Sequence, residues 1–395
     1  MAINLSASFQ DSDWVSKTLD HLLDHGIAVI TDVFTPEECH AHMGGLLDSF
    51  EALGTGIDRK DFSTWKADVL PPQTRPGMFQ ALVGNLPTVW ELRTDSRIRE
   101  IFTQVYSNFR GEEIQDYIVS SDGLSLKPPT APYHSDGAKD WPHLDQSESL
   151  DTFRCFQGQV VLTNTTASFR ASPGSHRVFD QILQEKAKGN WYKIPDERLE
   201  EVQELVESSG GEWQRAISAP KGSVILWTSS TVHSAQPLRK GPLDASDPYN
   251  GWRGVVYVCY RPKREFSKAE INRRKKAYEE NRLTNHWSTK TFPKVPGGRW
   301  AKKPSNPTMA GMVDDPTRLN GNPKTATPKR DSITELIDEK IRARPLVEIS
   351  WVELDLERAK RKAPPKADLD YGEEIEDAKL KPKPKPQLDY ELEIA

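Results

Sequence analysis

The sequence predicts an α+β chain, mainly β, in which helices come first, short strands follow, and an extended tail closes the chain. Three observations carry this. Apolar residues recur at helical spacing near the N-terminus, short strand-like runs dominate from Tyr117 onward, and composition shifts sharply near residue 300. Helices followed by many short strands point to a core that is a β-sandwich or small barrel.

Between Trp14 and His25 the apolar positions Trp14, Val15, Leu19, Leu22 and Leu23 fit one helix, and Gly26 supplies its stop. Ile27-Ala28-Val29-Ile30 follows as a buried strand. Thr35 then serves as N-cap and Pro36 as first-turn residue of a second helix. The strand candidates beyond Tyr117 are DYIVS, GLSLK, FQGQVVLT, GSVILWTSS and GWRGVVYVCY, separated by turn-rich or helical insertions. In SKAEINRRKKAYEENRL, Ser267 and Glu270 stand at capping-box spacing and open another helix. Its basic cluster, Arg273 to Lys276, reads as a solvated face, the alternative being contact with nucleic acid or an acidic ligand. His286 and Trp287 are expected to pack against the barrel rather than to bind metal.

The 395 residues are 36% hydrophobic and 28% charged with a net charge of −5, a composition that argues against bulk nucleic-acid binding. No apolar run reaches transmembrane length, and MAINLSASFQDSDW lacks the basic and apolar regions of a signal peptide. No membrane partner is therefore expected, and the expected location is intracellular, in the cytoplasm. Cys39, Cys155 and Cys259 are scattered and odd in number. They exclude a disulfide framework and an all-cysteine metal site, and they fit a reducing compartment.

Residues 1–300 hold all nine histidines and ten of the eleven tryptophans, Trp351 being the exception. The Pro- and Lys-rich sequence beyond cannot bury enough apolar surface to offset its ordering entropy. Residues 1–300 thus read as the folded domain and 301–395 as a mostly disordered tail. Within the tail, Ser332 to Glu335 opens a short helix running to about Arg344. Three acidic-hydrophobic units follow, VELDLE, ADLDYGEE and QLDYELEI, with Leu354, Leu369 and Leu388 as apolar anchors. Repeated short motifs suit multivalent docking to a protein partner; solvated low-complexity sequence is the alternative.

The stretch HSDGAKDWPHLDQS holds two His-x-Asp motifs, His134/Asp136 and His143/Asp145. On a strand, residues i and i+2 face the same way, so each motif presents an imidazole beside a carboxylate. A lone His-x-Asp is usually a surface pair or a turn. Two histidines and one carboxylate with open positions left over, however, suit non-haem Fe(II) chemistry. His233, in GSVILWTSSTVHSAQP just after a strongly apolar strand, can complete such a site. The residues alone leave open which motif is used, and a zinc hydrolase with the same three ligands would also fit.

WPHLDQS, FQGQVVLTNTTASFRASPGSHR, GSVILW and TVH together resemble the phytanoyl-CoA dioxygenase family of Fe(II)/2-oxoglutarate-dependent dioxygenases. The resemblance runs from about Gly26 to Tyr260 and is absent from the tail. In that family HxDQ is followed by a Gln-Gly strand, a leucine-threonine pair, a PGSH turn and a distal histidine. His233 stands ninety residues after His143, as the family spacing requires. The resemblance implies a double-stranded β-helix, the jelly-roll or cupin-like architecture, with N-terminal and inserted helices. It also implies iron held by His143, Asp145 and His233, with Gln146 following the clip. His134 and Asp136 then fall near the pocket entrance, as a solvated turn or as substrate-facing groups.

For 2-oxoglutarate, the resemblance implies an arginine at the start of the strand after the distal histidine. Arg253 takes that place, at the head of the row Arg253, Val255, Tyr257 and Cys259. Arg239 competes, because KGPLDASDPYN lengthens the interval, and Leu238 departs from the polar residue usual there. Ser125 and Lys127, on one face of GLSLK, and Gln157 in FQGQVV are further pocket residues. The activity implied is oxidation of a small-molecule substrate, a metabolite or acyl-type compound, by molecular oxygen with release of succinate and CO2. A carboxylate at Asp145 favours hydroxylation, since halogenating relatives carry a small residue there. The alternative is a catalytically inactive scaffold that binds partners through its tail.

Overall fold

A computed structural model describes residues 4–66, 69–71, 73, 77–81, 83–129, 141–164, 169–183, 191–235 and 246–291. His134, Asp136, Arg239 and the whole tail lie outside the described residues. The chain begins with β1 (Ser6–Ser8), α1 (Trp14–His25) and β2 (Ile27–Thr31), then α2 (Pro36–Glu51), β3 (Met78–Phe79), α3 (Pro87–Thr94) and α4 (Ser96–Arg110). Next come β4 (Tyr117–Val119), β5 (Leu124–Lys127), β6 (His143–Leu144), β7 (Phe156–Val161) and β8 (Phe169–Ala171). The remainder is α5 (Phe179–Leu183), β9 (Tyr192–Lys193), α6 (Leu199–Ser208), β10 (Arg215–Ala216), β11 (Val224–Thr228), β12 (His233–Ala235), β13 (Arg253–Val258), β14 (Tyr260–Pro262) and α7 (Lys268–Glu279).

Local chemistry sets the helix ends. α1 buries Trp14, Thr18 and Leu22 along one stripe, and Gly26 ends it in the left-handed conformation at φ 70°. At α2, Thr35 accepts from the Glu38 backbone while Glu38 reaches back to the Thr35 N–H, a complete capping box behind Pro36. α7 carries the same device at Ser267 and Glu270. Its basic run is not wholly solvated. Arg274 is buried, its guanidinium 5.8 Å from the Trp90 ring and 6.0 Å from that of Tyr278, while its neighbours Arg273, Lys275 and Lys276 are exposed. The helical period selects one basic residue of the four for the core, where its guanidinium lies over two aromatic rings and donates to Val119 O at 3.5 Å.

Among the described residues the strands form a seven-stranded sheet, β1-β2-β11-β7-β13-β5-β3, and a five-stranded sheet, β10-β8-β12-β6-β9. A two-stranded ribbon pairs β14 with β4. Every pairing is antiparallel except β1 with β2. From β5 to β8 successive strands alternate between the large and the small sheet, and β10 to β13 do so again, winding the two sheets together. Their inner faces meet in one apolar cluster: Val161, Ile225, Trp227 and Val255 from the large sheet, Phe169 and Ala171 from the small. Each buried Val, Ile or Phe side chain here contributes about 1.5–3 kcal/mol, so this cluster holds the two sheets face to face. No helix of the described residues is long and apolar enough to cross a membrane.

Candidate metal centre

His143 and His233 sit directly opposite each other, one on β6 and one on β12, in the small sheet. Asp145 follows β6, its backbone N–H donating to Ser229 O at 3.0 Å. The His143 Nε2 lies 3.6 Å from Asp145 Oδ1, and the His233 Nε2 lies 3.2 Å from Asp145 Oδ2. One donor atom from each of the three residues falls within 4.8 Å of the others, and all three are buried. That spacing suits a cation seated among them, given metal–ligand bonds of about 2 Å.

The tautomers follow from the carbonyls behind the rings. His143 Nδ1 bonds Trp141 O at 3.0 Å, and His233 Nδ1 bonds Thr231 O at 2.9 Å. A carbonyl only accepts, so each Nδ1 carries the proton and each Nε2 keeps its lone pair for a cation. Burial, with the His233 ring beside it adding to the effect, pushes the His143 imidazole down to about 3, so it is neutral. Burial alone would raise the Asp145 carboxyl, but His286, His143 and His233 around it hold it well below the usual range. A neutral imidazole beside an ionised carboxylate is a donor set ready for a divalent metal.

The surrounding turns serve His233 and Asp145. Gln146 is fully buried, donating to Ser149 O and Asp151 O and accepting from Ser229 Oγ. In the PGSH turn, Ser175 Oγ accepts the Val232 N–H at 2.9 Å, next to His233. His176 Nε2 bonds Leu23 O at 2.9 Å, tying that turn to the end of α1.

A second polar region lies on the inner face of the large sheet. Arg253 and Lys127 are direct cross-strand partners on β13 and β5, and both are buried. The Arg253 Nε donates to Ser125 Oγ at 3.2 Å. No carboxylate pairs with either cation among the described residues. Burial, helped by the charge of Arg253, pushes the Lys127 ammonium down from 10.5 to about 7. Along the same face Gln157 Nε2, Gln159 Oε1 and Trp227 Nε1 are buried with no hydrogen-bond partner among the described residues. The face reaches the metal donors through Trp227 and Phe169, whose rings lie 5.4 and 6.0 Å from that of His233. Buried cations and orphaned amides are costly unless a ligand answers them. An acidic ligand fits here.

The chain has distant relatives among known proteins. It matches none of the family models. A curated relative, the Ava biosynthesis cluster protein O of Aspergillus versicolor, is 24% identical over 304 residues, which is 72% of this chain and 91% of that one. Among solved structures, EctD from S. alaskensis with bound Fe is 16% identical at a TM-score of 0.39, covering 72% of this chain and 84% of its own. The epimerase SnoN, in complex with Fe3+, alpha ketoglutarate and nogalamycin RO, is 14% identical at a TM-score of 0.38, covering 63% and 84%. Similarity at this level assigns no family.

Several groups at the site were not legible as functional in the sequence. Trp141 stacks on His143 at 4.1 Å between ring centroids, and half-exposed Trp191 lies 6.0 Å from the same ring. Trp141 stands two residues before His143, a proximity readable in the sequence; Trp191 reaches the site only because β9 pairs with β6. His286 and Trp287 do pack into the domain, and both also bond the backbone oxygen of Asp145.

Proposed function

We propose that this chain is a non-haem Fe(II)- and 2-oxoglutarate-dependent dioxygenase acting on a small-molecule substrate. The observation that carries the reading is the convergence of two lone-pair Nε2 atoms and one carboxylate, the ligand set of such iron sites. When bound, iron and 2-oxoglutarate supply oxidation of a C–H bond by molecular oxygen, with 2-oxoglutarate converted to succinate and CO2. The residues of the chain position the partners. His143, Asp145 and His233 would hold the metal. Arg253 would take the distal carboxylate of 2-oxoglutarate with its planar fork, Lys127 would add a second positive charge, and Ser125 and Gln157 would offer hydrogen bonds.

A zinc hydrolase could use the same three ligands, but it has no need of two buried cations without counter-charges on the facing sheet. The fold reading rests on strand order: alternation of successive strands between two antiparallel sheets supports a double-stranded β-helix. Membership of the phytanoyl-CoA dioxygenase family, hydroxylation as the outcome, residues 1–300 as the catalytic unit and docking through residues 301–395 belong to this same proposal. A relative named for a biosynthesis cluster suits a small-molecule substrate.

The test is succinate formation from 2-oxoglutarate under air, with and without Fe(II). Iron-dependent succinate that disappears in Asp145→Ala supports the reading. Full metal occupancy with no 2-oxoglutarate consumed overturns it.

A further inference from the structure

β6 is two residues long, so Asp145 lies just past the end of its ladder pairing. Its carbonyl is nevertheless doubly satisfied. His286 Nε2 approaches Asp145 O at 3.0 Å and Trp287 Nε1 approaches it at 3.1 Å. A carbonyl has two acceptor lone pairs, so both are taken, and His286 must carry its proton on Nε2. The other ring nitrogen, Nδ1, lies 3.7 Å from Asp145 Oδ2. Two consecutive side chains thus hold the peptide of one candidate ligand, and one of them also faces its carboxylate.

The segment carrying them is itself tied down. Thr284 and Thr291 form an isolated antiparallel bridge, and Asn285 N donates to Lys290 O at 3.0 Å. Thr284 N donates to Ser121 O at 2.9 Å, and Thr284 Oγ1 accepts from Ser121 N at 2.8 Å, joining the segment to the turn before β5. Trp287 packs against Cys155 and Cys259, with the Arg261 guanidinium 4.9 Å from its ring. This short loop after α7 therefore presents its two N–H groups from a rigid base.

We propose that His286 and Trp287 are positioning residues of the metal centre: by holding the Asp145 carbonyl they set the direction of its carboxylate toward His143 and His233. The inference rests on the metal reading above. A loop that merely satisfies a buried carbonyl, as any fold must, is the alternative. The two differ in what metal affinity does. Partners of this outer kind are worth about 10–100-fold in metal affinity, whereas a purely structural bond costs stability alone.

The test is a Co(II) titration of the full-length protein, followed by visible absorption, with urea unfolding of the metal-free protein in parallel. In His286→Phe/Trp287→Phe, which leaves an aromatic ring at both positions and removes both N–H groups, Co(II) affinity should fall about 10–100-fold and the absorption bands should shift. His286→Gln, which retains a donor, should recover most of the affinity. Loss of stability with Co(II) affinity and spectrum unchanged overturns the proposal. Should the double variant fail to fold, Trp287→Phe decides by the same titration: a weaker, spectrally altered site supports the proposal and an unchanged one overturns it. A wild-type protein that takes up no Co(II), or takes it up equally well as His143→Ala, overturns the metal reading itself, an outcome distinct from the first.

Discussion

The Nε2 of His233 lies 3.2 Å from Oδ2 of Asp145, although the two residues come from separate elements, and the opposite nitrogen of that imidazole is fixed on Thr231 O at 2.9 Å. The pair is thus oriented from behind before any metal arrives. Asp145→Ala and His233→Ala are expected to abolish iron-dependent turnover of 2-oxoglutarate, while Asp136→Ala keeps basal, uncoupled turnover. Succinate release measured on the three variants checks this, and activity retained in Asp145→Ala would remove the carboxylate from the site.

Arg253 and Arg239 make opposite predictions. The guanidinium of Arg253 is buried beside Ser125 on the inner face of the large sheet. Arg253→Ala should raise the 2-oxoglutarate concentration needed for half-maximal turnover by about two orders of magnitude, as loss of a charge-assisted pair costs a few kcal/mol. Metal binding should persist. The reverse pattern, with Arg239→Ala as the damaging change, would move the anchor to the other arginine.

Lys127 gives a pH dependence of known sign. Its pKa is pushed from 10.5 to about 7 in the folded protein. Between those values the unfolded chain holds the extra proton, so the ligand-free protein gains stability as pH rises from about 7 toward 10.5. Binding of an anion favours the protonated amine, so 2-oxoglutarate affinity should weaken as pH rises through about 7. Lys127→Met should flatten both profiles. Urea midpoints and 2-oxoglutarate titrations across that range measure them, and unchanged profiles would take Lys127 out of the pocket.

Gly26 links backbone conformation to the metal ligand. Its φ is 70°, and an added Cβ would collide with Thr231 Oγ1 and lie 2.7 Å from His176 Nδ1. Thr231 carries the carbonyl that holds His233. Gly26→Ala is therefore expected to destabilise the fold by about 1–3 kcal/mol and to weaken metal binding as well. Thermal unfolding and a metal titration separate the two effects; an intact affinity would show that Thr231 holds its place.

Much of the local structure was written in the sequence, because caps and periodicity act over a few residues. Trp14 to His25, the Thr35 N-cap, the Ser267 capping box and the apolar strands needed no distant information. The His143-x-Asp145 pair was legible for the same reason: a two-residue period puts both groups on one face. What the chain alone could not decide depends on pairing between remote segments. That Arg253 lies across from Lys127 follows from the register of β13 on β5. That Arg274 turns inward while its basic neighbours stay exposed depends on Trp90 and Tyr278 being there to receive it. His286 and Trp287 reach Asp145 only once the chain has folded back on itself, and no spacing rule connects residues so far apart in the chain. Short-range rules settled the ligand types and the elements bearing them; sheet register and loop closure, which act through space, decided what surrounds them.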